Sequence, residues 1–268
     1  MKEPIGIFDS GIGGLTVLKE VINLLPYEDI IYLGDTARVP YGIRSHETIV
    51  KYSFANADFL MNQGIKILVI ACNTASSVST EKLKERCKIP VIEVITPGAK
   101  CAAEITKNGK IGVIGTEATI RSGTYVRAIK GFNPQFEVYP KACPLFVPLV
   151  EEGWTEEGNE VSLMIADKYL HELKEKGIDS LVLGCTHYPL LKGVIRKVMG
   201  HDVHLIDSAQ ETAKEMLRVL REINLITSGH TKGTLQFYVT DDPERFQKMG
   251  YRFLEIEIED VRRAETVT

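Results

Sequence analysis

Short apolar runs, each closed by small or polar residues and followed by a stretch with helical spacing, alternate along the whole chain. Strand-like runs fall at 4–8, 29–33, 66–71, 91–95, 110–114, 136–139, 180–183, 203–206 and 234–239. Helical spacing occupies 14–25, 46–63, 74–86, 98–107, 117–130, 155–176, 188–199 and 208–223. Runs as uniformly apolar as Ile67-Leu68-Val69-Ile70 predict strands buried on both faces. Their alternation with helices predicts an α/β chain with parallel sheets covered on both sides.

The pattern occurs twice. Ile67-Leu68-Val69-Ile70-Ala71-Cys72-Asn73-Thr74 and Leu181-Val182-Leu183-Gly184-Cys185-Thr186-His187 both end an apolar run in a thiol followed by small polar residues. Ile5-Gly6-Ile7-Phe8-Asp9 is echoed by Ile111-Gly112-Val113-Ile114-Gly115, and the segment 90–98 by 201–209. Strand, turn and helix recur by default in this class, but the matched cysteines favour a duplicated half-length unit. Two such lobes facing across a cleft bring Cys72 and Cys185 to it from opposite sides. Each sulfur is expected at a strand end beside a helix N-terminus, a place that lowers a thiol pKa. No low-complexity linker interrupts the chain. The borders are therefore placed in ordinary turns, giving a first lobe of 1–97 plus 208–268 and a second of 98–207.

Composition narrows the function. The 268 residues are 44% apolar, enough for two cores, and the net charge of −4 without a long basic block argues against nucleic acid or an anionic membrane as partner. No apolar stretch reaches the ~18 residues of a membrane span, and no secretory segment follows Met1, so the expected location is the cytoplasm. The five cysteines form no C-x-x-C pair, which points to free thiols rather than a disulfide framework or zinc. His201 and His204 lack companions for a metal site, and neither a dinucleotide fingerprint nor a P-loop is present.

Two further segments carry polar chemistry to strand ends. Asp9-Ser10-Gly11-Ile12-Gly13-Gly14 joins a strand to a helix through glycines that allow a tight turn with exposed N–H groups. Asp9 there can orient an ammonium or accept a thiol proton. Gly34-Asp35-Thr36-Ala37-Arg38-Val39-Pro40-Tyr41-Gly42 reads as a loop at the same edge, with Asp35 and Arg38 as a solvated pair or Tyr41 and Gly42 as a carboxylate cradle. His187 follows Cys185 closely enough to share its site. Glu151 and Glu152, after a proline-rich run, read on their own as helix-leading charge rather than cleft acids.

Taken together, Asp9–Gly14, Gly34–Gly42, Ala71-Cys72-Asn73-Thr74-Ala75 and Gly184-Cys185-Thr186-His187-Tyr188-Pro189-Leu190 resemble the cofactor-independent glutamate racemases of bacteria, along nearly the whole chain. The resemblance implies two flavodoxin-like lobes related by a pseudo-two-fold axis, a homodimer, no cofactor and no metal. It implies interconversion of L- and D-glutamate, supplying D-glutamate for peptidoglycan. By motif, Cys72 and Cys185 become the acid/base thiols, assisted by Asp9 and His187. Asp9, Ser10, Tyr41, Gly42, Asn73, Thr74, Thr116, Thr119, Thr186 and His187 become substrate contacts, with Asp35 and Glu151 as supporting acids. Val39 and Glu93 stand where close relatives are expected to carry Cys and Gly. A racemase for another amino acid such as aspartate shares the two-thiol logic. A two-lobed anion-binding protein explains the cleft but gives no reason for the paired thiols.

Overall fold

The structure, a computed structural model, describes residues 3–229 and 231–266; the outermost ends of the expected first lobe and position 230 lie outside the described residues. The first sheet contains β1 (Ile5–Asp9), β2 (Ile30–Gly34), β3 (Ile67–Ile70), β4 (Val91–Glu93), β9 (Leu235–Val239) and β10 (Val261–Arg263) in the order β10-β9-β2-β1-β3-β4. The second contains β5 (Lys110–Gly115), β6 (Glu137–Ala142), β7 (Ser180–Gly184) and β8 (His204–Asp207) in the order β6-β5-β7-β8. Both sheets are parallel throughout.

The order β2-β1-β3-β4 is repeated as β6-β5-β7-β8, and the match extends to register. Gly6 of β1 pairs with Leu68 of β3 and Gly112 of β5 with Leu181 of β7, each partner four positions before its cysteine. A Cβ on Gly6 would lie 2.6 Å from Ile65 Cδ1, and one on Gly112 2.5 Å from Ile178 Cδ1. Both isoleucines stand seven positions before their cysteine, so each lobe fills the same missing methyl with the same side chain. Default recurrence of strand-turn-helix units does not reproduce such packing detail. The duplication read from the sequence is present in three dimensions.

Helices cover both faces because the central strands are apolar on both. β1, β2, β3 and β7 are buried along their whole length. α1 (Leu15–Leu24) and α4 (Ile95–Ile105) both pack on α10 (Ser208–Glu222), from which the chain returns to add β9 beside β2. α2 (His46–Asn62) and α3 (Asn73–Arg86) pack together in the first half of the chain.

Several boundaries differ from the periodicity for local reasons. α4 begins at Ile95 because the Glu93 carboxylate accepts hydrogen bonds from the N–H groups of Ile95 and Thr96, and Pro97 falls in the first turn, where proline is tolerated. The stretch 117–130 divides into α5 (Glu117–Ser122) and α6 (Thr124–Phe132) at Gly123, whose φ of 66° is left-handed. α8 (Glu160–Glu175) waits for the Asn159 cap, which accepts from Ser162 N. Residues 188–191 form a 3-10 turn ahead of α9 (Lys192–Met199). α7 (Phe146–Glu151), α11 (Pro243–Leu254) and β10 have no counterpart in the sequence reading.

Candidate active site

Parallel strands present their following loops at one edge, and here the loops from both sheets enclose one cavity of about 290 Å³. Ser10, Tyr41 with Gly42, and Cys72 with Asn73 and Thr74 follow β1, β2 and β3; Thr116, Glu151, and Cys185 with Thr186 and His187 follow β5, β6 and β7. Asp9, Asp35 and Thr119 lie one layer behind this lining, each almost wholly buried. A larger hollow of about 640 Å³ lies between Lys84, Lys100 and Arg218 and holds neither thiol. Glu93 borders that second hollow rather than the cavity, where it serves as the α4 cap.

Cys72 is the N-cap of α3: its sulfur accepts from Ala75 N at 3.4 Å and meets Ser10 Oγ at 3.4 Å. Backbone N–H groups of His187 and Tyr188 turn likewise to Cys185. Those donors favour thiolate, as expected from the sequence, but burial outweighs them. Cys72 is pushed up to about 11, first by desolvation and then by Asp9. Cys185 is pushed higher still, by desolvation and by the proximity of Cys72 and Asp9. The expected lowering of the thiol pKa values is thus reversed. Helix position is a local property, whereas desolvation depends on how residues distant in sequence pack around the sulfur, as Phe8, Leu33 and Tyr41 do in the core that holds Cys72.

Acid and imidazole meet beneath the thiols. Asp9 Oδ2 accepts from Gly11 N at 2.9 Å; burial raises this carboxyl, and His187 opposes the rise. His187 Nε2 lies 3.2 Å from Glu151 Oε1, a bond that draws Glu151 below its ordinary range. The other ring nitrogen, Nδ1, is buried without a protein partner. Glu151 is therefore a cavity acid rather than solvated helix charge.

Hydroxyls stitch the two halves together around the cavity. Thr74 Oγ1 lies 2.9 Å from Thr116 Oγ1 and 3.3 Å from Thr119 Oγ1, and the Thr16 hydroxyl, on α1, reaches the Thr186 carbonyl at 3.0 Å. Tyr41 is fixed from below by its hydroxyl bond to Asp35, with Asn56 Nδ2 donating to the same phenol at 3.1 Å. Asp35 also accepts from Thr240 Oγ1 at 2.9 Å and pairs with Arg38 at 3.3 Å. With Asp35 fully buried, this is an internal network, not a solvated pair.

Buried polar atoms are almost always satisfied, so each exception calls for a reason. Among the described residues four buried side-chain atoms lack a partner, and Asp9 Oδ1, Asn73 Nδ2 and His187 Nδ1 are three of them. A model of Asp/Glu/hydantoin racemases matches residues 11–216. The glutamate racemase of Geobacter metallireducens is 55% identical over 257 residues, 96% of this chain and 94% of that protein. The crystal structure of a Bacillus anthracis glutamate racemase superimposes with a TM-score of 0.94 at 40% identity, covering 98% of this chain and 97% of that one. A Francisella tularensis glutamate racemase in complex with D-glutamate gives 0.92 at 41%, covering 99% and 98%. The chain belongs to the Asp/Glu/hydantoin racemase family, among its glutamate racemases.

The sequence reading of this family member missed the apolar wall of the cavity. Ile12, Val39, Ile43, Pro144, Val147 and Pro148 line it. Glu151 and Glu152 read as charge leading a later helix, whereas Glu151 closes α7 and Pro148 sits in its first turn, so α7 and its wall went unseen. The cross-chain bonds of Thr16 and Tyr125 also went unseen, because their partners lie 170 and 52 residues away.

Proposed function

We propose that this member of the glutamate racemases interconverts L- and D-glutamate with Cys72 and Cys185 as paired acid and base. The observation that carries the assignment is that both sulfurs border one cavity, each on the loop following the equivalent strand of its own sheet. The chain acts as two lobes, 1–97 with 208–268 and 98–207, closing on substrate between them.

In the L-to-D direction the Cys185 thiolate takes the α-proton and the Cys72 thiol gives its proton to the opposite face; the reverse direction exchanges the roles. Substrate brings an ammonium group into the space between two thiols whose burial disfavours charge, and this cation draws a thiolate into being where it is needed. Asp9 on the Cys72 side and His187 on the Cys185 side hold or move the thiol protons. Donors on Asn73, Thr74 and Thr186 stabilise negative charge that builds on the α-carboxylate as the carbanion forms. Proximity and exclusion of water supply the rest. The chain works as a cytoplasmic homodimer and supplies D-glutamate for peptidoglycan.

Incubation with L-glutamate and no added cofactor is expected to yield D-glutamate, and Cys72→Ser or Cys185→Ser to abolish nearly all turnover with the fold intact. Substantial racemisation by either variant overturns the two-thiol assignment. Binding without turnover leaves the anion-binding reading, and faster conversion of aspartate than glutamate moves the substrate. Sedimentation analysis tests the dimer.

A further inference from the structure

We propose that Tyr125 is a positioning residue for racemisation: its hydroxyl fixes the Asn73 amide so that the amide nitrogen, not the oxygen, meets the substrate carboxylate. The proposal rests on the proposed function and adds a residue outside the motifs. Tyr125 stands on α6, which follows β5 in the second half of the chain, whereas Asn73 opens α3 directly after Cys72. Tyr125 is 2% exposed and its hydroxyl donates to Asn73 Oδ1 at 2.6 Å.

The chemistry of the two groups makes the bond directional. A phenol has one proton, and burial keeps it in place by raising the Tyr125 pKa far above neutrality. That proton is directed at Asn73 Oδ1, so the amide presents its acceptor to Tyr125. Its donor, Nδ2, is buried, borders the cavity through Asn73, and lacks a protein partner. Rotated by half a turn, the same amide would set a carbonyl oxygen against an incoming carboxylate, exchanging an attractive contact for a repulsive one. One hydroxyl thus decides the sign of the contact.

The ring has a second role. A Cβ built on Gly184 would lie 2.9 Å from Tyr125 Cε2, so the ring occupies the space a side chain at 184 would need, directly before Cys185. Tyr125 thus touches the immediate neighbour of each thiol, Asn73 by its hydroxyl and Gly184 by its edge. It sets the spacing of the two halves at the point where the α-carbon must fit.

Tyr125→Phe removes the hydroxyl and keeps the ring. Steady-state kinetics in both directions are expected to show kcat/KM about tenfold lower, chiefly through KM, the size of one lost hydrogen bond with its partner left unpaired. In an Asn73→Ala background the same change is expected to alter kcat/KM less than about twofold. Wild-type kinetics in Tyr125→Phe, or an equal loss in the Asn73→Ala background, overturns the proposal. A second readout needs no variant of Tyr125: the side-chain amide protons of Asn73, assigned by their loss in Asn73→Ala, are expected to show no strong nuclear Overhauser contact with the Tyr125 ring protons, because Oδ1 and not Nδ2 faces the phenol. A strong contact places the nitrogen against Tyr125 and overturns the proposal even if Tyr125→Phe fails to fold. If the wild-type protein does not racemise glutamate, the functional reading falls, and the amide spectrum alone decides the contact.

Discussion

Gly13→Ala is a one-methyl test of whether the two halves of the site are held in contact. A Cβ at Gly13 would lie 2.3 Å from Thr186 Oγ1, 2.4 Å from His187 Nδ1 and 2.5 Å from His187 Cε1. Non-bonded carbon contacts settle at about 3.5 Å, so the imidazole must retreat by roughly 1 Å. It has no easy direction to take, with Nε2 bonded to Glu151 and the Phe253 ring edge-on at 5.3 Å. Gly13 has no left-handed φ, so alanine adds the clash without backbone strain. A displacement of about 1 Å in a reacting group lowers rate by on the order of 100-fold. We expect kcat/KM to fall by that factor in both directions, about 2.7 kcal/mol of transition-state stabilisation, with stability lowered by about 1–3 kcal/mol through overpacking. Gly131→Ala on α6 is the control, since nothing lies within 4 Å of its Cβ and the helix gains about 0.5–1 kcal/mol. Racemisation is followed by polarimetry or circular dichroism and stability by urea denaturation. Gly13→Ala retaining activity within about twofold refutes the claim that His187 and Thr186 are braced across the cleft.

Folded Cys72 stays protonated to about 11 whereas an unfolded thiol ionises near 9, so its contribution to stability is complete below pH 9 and is lost as pH rises to about 11. The loss amounts to about 3 kcal/mol; urea titrations at the two ends of that window are expected to show a fall in stability smaller by about that amount in Cys72→Ser than in wild type, the remaining fall coming from Cys185 and the other buried thiols, and identical profiles contradict it. Glu151→Gln removes the anion that orients His187 through Nε2, and is expected to reduce kcat/KM by about tenfold with Tm little changed; unaltered kinetics would detach Glu151 from the site. Asp35→Ala leaves the Tyr41 hydroxyl and Arg38 without their shared acceptor, and is expected to destabilise by about 3 kcal/mol and raise KM through the Tyr41-Gly42 loop, as urea denaturation and kinetics will report.

What was legible in the sequence was what is local. The nine strands expected all form, because uniformly apolar runs such as Ile67–Ile70 admit few other fates, and the matched thiols marked the repeat before any register was known. β10 escaped notice because Val261-Arg262-Arg263 is a polar edge strand with no apolar run. α11 did carry a signal, Asp242 as cap and Pro243 at the first helical position ahead of Phe246, Phe253 and Leu254. The site's electrostatics were not legible. The N–H donors beside each thiol are its neighbours in sequence, but the burial that reverses their effect comes from residues distant along the chain, such as Phe8 and Tyr41 in the core that holds Cys72. The pairing of His187 with Glu151 and of Asn73 with Tyr125 likewise joins residues that no short motif contains.

The central claim is that two thiols work on opposite faces of one carbon, and isotope distribution at early time measures this directly. In heavy water, L-glutamate converted to a few per cent should give D-glutamate deuterated at the α-carbon, while the unreacted L-glutamate keeps its proton, because the face that loses hydrogen is not the face that gains deuterium. D-glutamate retaining the substrate proton, or deuterium entering both pools at equal rates from the start, would mean that one group serves both faces and would contradict the account.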